Sequence, residues 1–292
     1  VADPSRVALV TCATFPDLYA DDLPLRDALL ASGVLVDALR WDDDGADWAA
    51  YDLVVVRSPW DYVARRDAFV AWARSVPRLA NPADVIAWNT DKRYLGELAE
   101  AGVPIIPTTF AGPGDTWTPP AEGEWVVKPT ISAGSQDTGR YVLPEQAGPA
   151  RAHVDRLIAA GRTAMIQPYM AAVDTAGETA VLCVPDVTGA LTFSHGVRKG
   201  AMLTETGGGA IEVGSEVIAP REPSSAELAL ARRVLEAVPG DAKRLLYARV
   251  DLIPGPDGSP LLIELELTEP SLFLRTAPGS AERLAAAILA RL

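Results

Sequence analysis

Apolar residues recur along this chain with two periods, and the switches between them outline its elements. Residues 6–13 (RVALVTCA) form a nearly continuous apolar run and read as a buried strand. Residues 22–33 (DLPLRDALLASG) repeat at helical spacing and end at a glycine stop. Residues 34–41 and 51–60 are two further strands, and residues 65–76 (RRDAFVAWARSV) a second helix. This order predicts an open α/β lobe of about the first 85 residues. A new unit begins at residue 89, where Asn89 or Thr90 is expected to cap a helix running to Gly102. After a Gly/Pro/Trp-rich surface loop, strands are expected at WVVKP (125–129) and YVLP (141–144), with a helix over 153–161. The runs 164–170, 178–184, 190–200 and 211–219 have the β-branched content of antiparallel strands. A helix over 224–238 is capped by Ser224 or Ser225. The runs 245–253 and 261–267 form a hairpin around PGPDGSP, and residues 280–292 close the chain as a helix.

One apolar run carries charge where none is expected. In LLIELELTEP (261–270), Glu264 and Glu266 are two residues apart, so a strand points both the same way, about 7 Å apart along the chain. Asp251 on the partner strand falls near Glu264 if the hairpin turns at Pro256 and Asp257. Buried like charges require a cation between them, and Mg²⁺ on a phosphorylated ligand commonly takes one or two carboxylates. An edge strand with its glutamates in water is the plain alternative.

Cations occur in suitable company. Lys128 ends an apolar strand just before TISAGSQDTGR (130–140), a loop whose small residues let backbone N–H groups approach phosphate. It is no Walker A loop, and a simple turn is its alternative reading. Arg198 and Lys199 sit in SHGVRKG, and Gly207–Gly209 offer a hinge or flexible turn. After the third strand, Arg57, Ser58, Trp60 and Asp61 occupy the end of an α/β strand where ligands bind. Arg57 is suited to a carboxylate and Asp61 to an ammonium; a Ser58–Pro59 turn with Trp60 in the core is the alternative. Thr14, Asp17 and His195 are weaker substrate candidates.

The order of these features resembles the ATP-grasp superfamily, in its glutathione-synthetase-like branch, from about residue 89 to the C-terminus. The resemblance implies an ATP-grasp fold preceded by an α/β domain, divided as residues 1–86, 87–165 and 166–292. It implies that Lys92 and Lys128 contact the ATP phosphates, under a loop that includes Ser132, Gly134 and Ser135. Gln167, Pro168 and Tyr169 would stand at the adenine hinge, and Glu178 at the ribose. Asp251, Glu264 and Glu266 would hold Mg²⁺, and Arg198 would face the transferred phosphoryl group. The family pattern Glu-x-Asn departs here to Glu264-x-Glu266. VALVTCA, RSPWDY and YARVDLI are further similar to the cyclo-ligases that form D-cycloserine from O-ureido-D-serine. That similarity implies an ADP-forming ligase acting through an acyl phosphate on a small amino-acid-like substrate. A ligase joining carboxylate and amine from two molecules, or a non-catalytic ATP-binding regulator, are the alternatives.

Composition narrows the setting. Of 292 residues, 49% are hydrophobic and 22% charged, ordinary for a globular protein. With 26 Lys and Arg against 39 Asp and Glu, the net charge of −13 argues against nucleic-acid or anionic-membrane partners. The two cysteines lie in apolar runs, as free thiols of a reducing, cytoplasmic compartment do. Two histidines make a His-rich zinc site unlikely, and no signal peptide or membrane span is evident.

Overall fold

The structure, a computed structural model, describes residues 3–201, 207–209 and 217–292. The first lobe is a parallel sheet of β1 (Arg6–Thr11), β2 (Leu35–Arg40), β3 (Leu53–Val56) and β4 (Leu79–Ala80), in the order β2-β1-β3-β4, with α1 (Leu23–Ala31) and α2 (Arg66–Ser75). Both its faces are covered, which explains the continuous apolar runs. Val7, Leu9 and Val55 face one core with Leu29; Ala8, Val10 and Val56 face another with Phe69 and Trp41.

Two short helices, α3 (Ala83–Asn89) and α4 (Tyr94–Glu100), lead out of this lobe. Next come β5 (Thr109–Ala111), β6 (Gly123–Pro129), β7 (Thr138–Leu143), α5 (Ala147–Ala159), β8 (Ala164–Pro168) and α6 (Ala172–Thr175). They are followed by β9 (Glu178–Pro185), β10 (Leu191–Lys199), β11 (Gly207–Gly209), β12 (Ile218–Pro220) and α7 (Ser225–Glu236). The chain ends with β13 (Ala248–Pro254), β14 (Pro260–Glu266) and α8 (Ser280–Leu289). These strands make two antiparallel sheets, β11-β7-β6-β8-β5 and β12-β10-β9-β13-β14. α8 packs on α1, so Leu284 and Ile288 share a core with Leu9 of the first lobe and Leu182 of β9.

Several expectations shift. Asn89 caps no helix: it ends α3, and α4 starts at Tyr94 with Arg93 in the capping position. α5 begins at Ala147 rather than at residue 153. The triple glycine is strand β11, paired with Thr138–Arg140 of β7, and not a turn. The strand expected over 211–219 lies mostly outside the described residues, and its end is β12. Ser224 caps α7 through a capping box with Glu227. No described helix is long and apolar enough to cross a membrane.

Two buried amides lock the segment that leaves the first lobe onto the end of β14. The Asn81 amide donates to Tyr247 O at 3.0 Å and Leu267 O at 2.7 Å, and its oxygen accepts from Leu246 N at 2.6 Å. Asn89 donates to Leu265 O and accepts from Leu267 N, each at 2.7 Å. Asn81→Ala strands three buried backbone groups, and denaturant unfolding should show a loss of about 3 kcal/mol; a loss below about 1 kcal/mol would mean that the junction relaxes around the gap.

Candidate active site

A cavity of about 530 Å³ opens where the three sheets meet. Its floor is the β13–β14 hairpin. The register sets Asp251 opposite Glu264 and Arg249 opposite Glu266, with a bulge after Asp251. Glu264 and Glu266 face the cavity, two residues apart on one strand face. Lys92 reaches Glu264 at 3.1 Å and donates to Ser132 O at 2.7 Å, tying the floor to the small-residue loop. Lys199 pairs with Glu178 at 2.8 Å and with Asp251 at 2.9 Å. Arg249 is shared between Asp251 and Glu266.

Burial decides the ionisation of this floor. It pushes Glu264 up, but Lys92 and then Lys128 outweigh it and hold the carboxyl below its usual range. At Glu266, burial and the neighbouring Glu264 and Asp251 prevail over Arg249, which Asp251 also claims, and the carboxyl is pushed up to about 8. Lys128 is pushed down, first by burial and then by Lys92 and Lys199, although Glu264 opposes the shift.

Over the floor lies the loop between β6 and β7. Gly134, Ser135 and Asp137 adopt left-handed φ values of 58°, 55° and 56°, a path that small-residue loops use to turn N–H groups toward an anion. Asp137 anchors the loop to α5 and its exit through Arg156, Arg162 and His153. At the far end, Ile106, Val173 and Ile253 form an apolar slot with Tyr169, Met170 and Ile263. Gln167 donates to Thr108 at 2.9 Å, and Arg140 stacks 3.5 Å from the Tyr169 ring centre.

The opposite wall is a strap, residues 268–272, whose five consecutive carbonyls each accept from a side chain of another segment. The donors are the Tyr247 hydroxyl to Thr268 O (2.9 Å), Trp60 Nε1 to Glu269 O (3.0 Å) and Arg57 Nη2 to Pro270 O (2.9 Å). Arg249 Nη1 donates to Ser271 O (3.1 Å) and His195 Nε2 to Leu272 O (2.8 Å). The strap turns Glu269 into the cavity beside Tyr62, where burial pushes its carboxyl up to about 7.

The cavity brings together Lys92, Lys128, Ser132, Gly134, Ser135, Gln167, Pro168, Tyr169, Glu178, Glu264, Glu266 and Trp60. The Tyr169 N–H is already given to Glu124 O at 2.7 Å, so it does not read a base edge. Asp251 is displaced from its expected role. It is 1% exposed, lies beneath the cavity and is held by Lys199 and Arg249. Among the described residues no three His, Cys, Asp or Glu side chains converge on one point. Arg198 does not face the cavity: it donates to Ala176 O and Thr175 O, while its neighbour Lys199 points in, as alternation along a strand demands.

The expected substrate residues are mostly scaffolding. Arg57 is 1% exposed and paired with Asp22 at 2.9 Å, so it clamps the strap and not a ligand. Ser58 bonds Thr11, and Asp61 takes the Trp41 indole and Arg65. His195 is buried behind the strap, and Thr14 and Asp17 are exposed on the turn after β1 without lining the cavity. Tyr19, Asp21, Glu269 and Arg275 line this side instead. Of these, Glu269 lies in the segment that carries Glu264 and Glu266, but its spacing from them sets no shared strand face and gives no signal of its own.

The family described as D-cycloserine synthetase DcsG, N-terminal domain, matches residues 7–81. Cycloserine biosynthesis protein DcsG of Streptomyces lavendulae is 37% identical over 302 residues, which cover 98% of each chain. The crystal structure of D-cycloserine synthetase DcsG superposes with a TM-score of 0.85 at 36% identity, covering 97% of this chain and 98% of that one. The ATP-grasp ligase PsnB, solved with a variant of its minimal precursor, Mg and ADP, shares the fold with a TM-score of 0.62 at 16% identity, covering 98% of both chains.

Lys128 is a buried cation held below its usual pKa, and among the described residues no carboxylate lies within ion-pair distance of it. Lys128→Met should therefore leave the free protein as stable as the parent or more so in denaturant unfolding. The same variant should bind an added triphosphate about 10- to 100-fold more weakly by calorimetry. A variant that loses stability and keeps its affinity would give Lys128 a structural role instead.

Proposed function

This chain belongs to the D-cycloserine synthetase DcsG family, and from that membership we propose that it is an ATP-dependent, ADP-forming cyclo-ligase that closes O-ureido-D-serine into D-cycloserine. The observation that carries the reading is the cavity charge pattern. Lys92 and Lys128 lie under a small-residue loop, opposite Glu264 and Glu266. A full-length relative named for cycloserine biosynthesis supports the choice of substrate.

ATP enters with its base toward the apolar slot of Ile106, Met170 and Ile263 and its ribose toward Glu178. Lys92 and Lys128 take the phosphates. Glu264 and Glu266 suit a hard divalent ion: both are oxygen donors, and crowding and burial raise the Glu266 carboxyl in a way that a cation relieves. Mg²⁺, when bound there with phosphate oxygens, neutralises charge on the transferring phosphoryl group.

The substrate carboxylate attacks the γ-phosphorus and ADP leaves. The nitrogen bonded to the side-chain oxygen then attacks the acyl phosphate, losing its proton as phosphate departs, and a five-membered ring results. Hydrolysis of the carbamoyl group by one water, which leaves the ring N–H and releases CO₂ and ammonia, balances the conversion. The part of this chain is positional. The small-residue loop, held through Asp137, shields the acyl phosphate from water. Arg275, on the cavity rim, is the cation for the substrate's carboxylate end.

The test is ADP release with Mg²⁺ and ATP against O-ureido-D-serine, its L-isomer and pairs of amino acids, with product masses recorded. ADP together with the cyclised mass from O-ureido-D-serine alone is the expected result. ADP only with paired substrates would make the protein an intermolecular ligase, and no ADP with any of them a nucleotide-binding regulator. Glu264→Gln should lower kcat on the order of 100-fold with the fold retained by circular dichroism. Arg275→Ala should raise KM for the amino-acid substrate about tenfold while KM for ATP stays within about twofold.

A further inference from the structure

Charges that line the cavity largely satisfy one another. Glu178 has Lys199, Glu264 has Lys92 and Glu266 has Arg249. Asp21 accepts from the Leu274 and Arg275 backbone N–H groups, each at 3.1 Å. Glu269 is different. Among the described residues no side-chain cation lies within ion-pair distance of it, and the Tyr62 hydroxyl is the polar side-chain group beside it. A carboxylate aimed into a cavity and left without a cation is a place for a ligand's positive charge.

Its placement is also unusually fixed. The carbonyls on both sides of Glu269, and its own, are gripped by Tyr247, Trp60 and Arg57. Arg57 is itself locked by Asp22, so the first lobe sets the position of an acid carried by the C-terminal segment. Trp60 packs edge-on against Tyr19 and Phe15, with ring centres 5.0 and 5.4 Å away, which stiffens the wall from which it donates. Five side-chain donors on five successive carbonyls are a large investment for a loop whose only role is to connect. They suit a side chain that must sit within a few tenths of an ångström of a small ligand.

We propose that Glu269 is the anchor for the α-ammonium group of the amino-acid substrate, oriented by the Tyr62 hydroxyl and held in place by the gripped strap. The proposal rests on the cyclo-ligase reading and adds to it the residue that recognises the amine. Glu264 and Glu266 are occupied with the nucleotide end of the cavity, which leaves Glu269 as the carboxylate for this role. Fixing the ammonium at Glu269 leaves the substrate's carboxylate and its ring-forming nitrogen to be presented together.

A cycle between residue and substrate group tests this. kcat/KM is measured for O-ureido-D-serine and for the same molecule lacking its amine, 3-(ureidooxy)propanoate, in the parent protein and in Glu269→Gln. The parent should prefer the amine about 100-fold, as expected for one partner of a desolvated charge pair. In Glu269→Gln, whose amide oxygen can still accept from Tyr62, the preference should fall to within about threefold, because only the amine-bearing substrate loses rate. Tyr62→Phe, which keeps the carboxylate, should lose part of the preference, about fivefold, and leave KM for ATP unchanged; it serves as the second variant if Glu269→Gln does not fold. Equal losses on both substrates, or a preference that survives the substitutions, would overturn the ammonium assignment and leave the cyclo-ligase reading intact. No turnover of O-ureido-D-serine by the parent would overturn that reading and the assignment with it.

Discussion

Asp251 lies at the centre of the cavity floor, 1% exposed, with its carboxylate held by Lys199 on one side and Arg249 on the other. Burial alone would drive its proton on; the two cations outweigh burial and hold it ionised. Everything the floor presents follows from those two contacts. Lys199 reaches on to Glu178, and Arg249 reaches on to Glu266 and to the carbonyl of Ser271. One hidden carboxylate therefore sets the directions of two cations. Through them it positions Glu178, Glu266 and the strap around the cavity. Removing one member of such a buried set leaves an uncompensated charge and costs about 3–5 kcal/mol. Asp251 acts as the keystone of the site from below, whereas Glu264 and Glu266 are the carboxylates of the hairpin that line the cavity.

The first lobe contributes in a comparable way. The C-terminal end of a parallel strand is where α/β folds bind ligands, and Arg57 stands there. Its guanidinium, however, is spent on Asp22 and on Pro270 O, and it stacks on Tyr247 with 5.1 Å to the ring centre. A charged group inside a protein needs partners that satisfy all its donors, and Arg57 has found them within the chain. The switch-point position is thus used at one remove: it holds a loop, and the loop holds a cavity-facing side chain.

What was legible in the sequence was local. The continuous runs in β1 and β3 reveal a doubly covered parallel sheet, and the two-residue spacing of Glu264 and Glu266 puts them on one face. The turn in PGPDGSP brings Asp251 opposite Glu264. What was not legible depends on contacts between segments far apart in the chain. Arg198 and Lys199 are adjacent, and only the pairing of Lys199 with Glu178 on β9 decides which faces inward. Asn89 has the composition of a cap, but two backbone groups 176 and 178 residues away claim its amide. Glu269 was in view within LLIELELTEP, yet nothing local marks it as facing a cavity, because the grip on its strap comes from Arg57, Trp60, His195, Tyr247 and Arg249.

The cavity's charges also bear on how protons move when nucleotide and metal enter. Lys128 is held below its usual pKa by burial and by Lys92 and Lys199. A polyphosphate placed beside it adds negative charge and raises that pKa again. Glu266 sits at about 8 for the opposite reason, burial among carboxylates, so a divalent cation beside it lowers that value and drives a proton off near neutral pH. The two shifts have opposite sign and occur on two sheets that face one cavity, Lys128 on β6 and Glu266 on β14. Affinity for a divalent cation at Glu266 should therefore rise as pH increases through the neutral range.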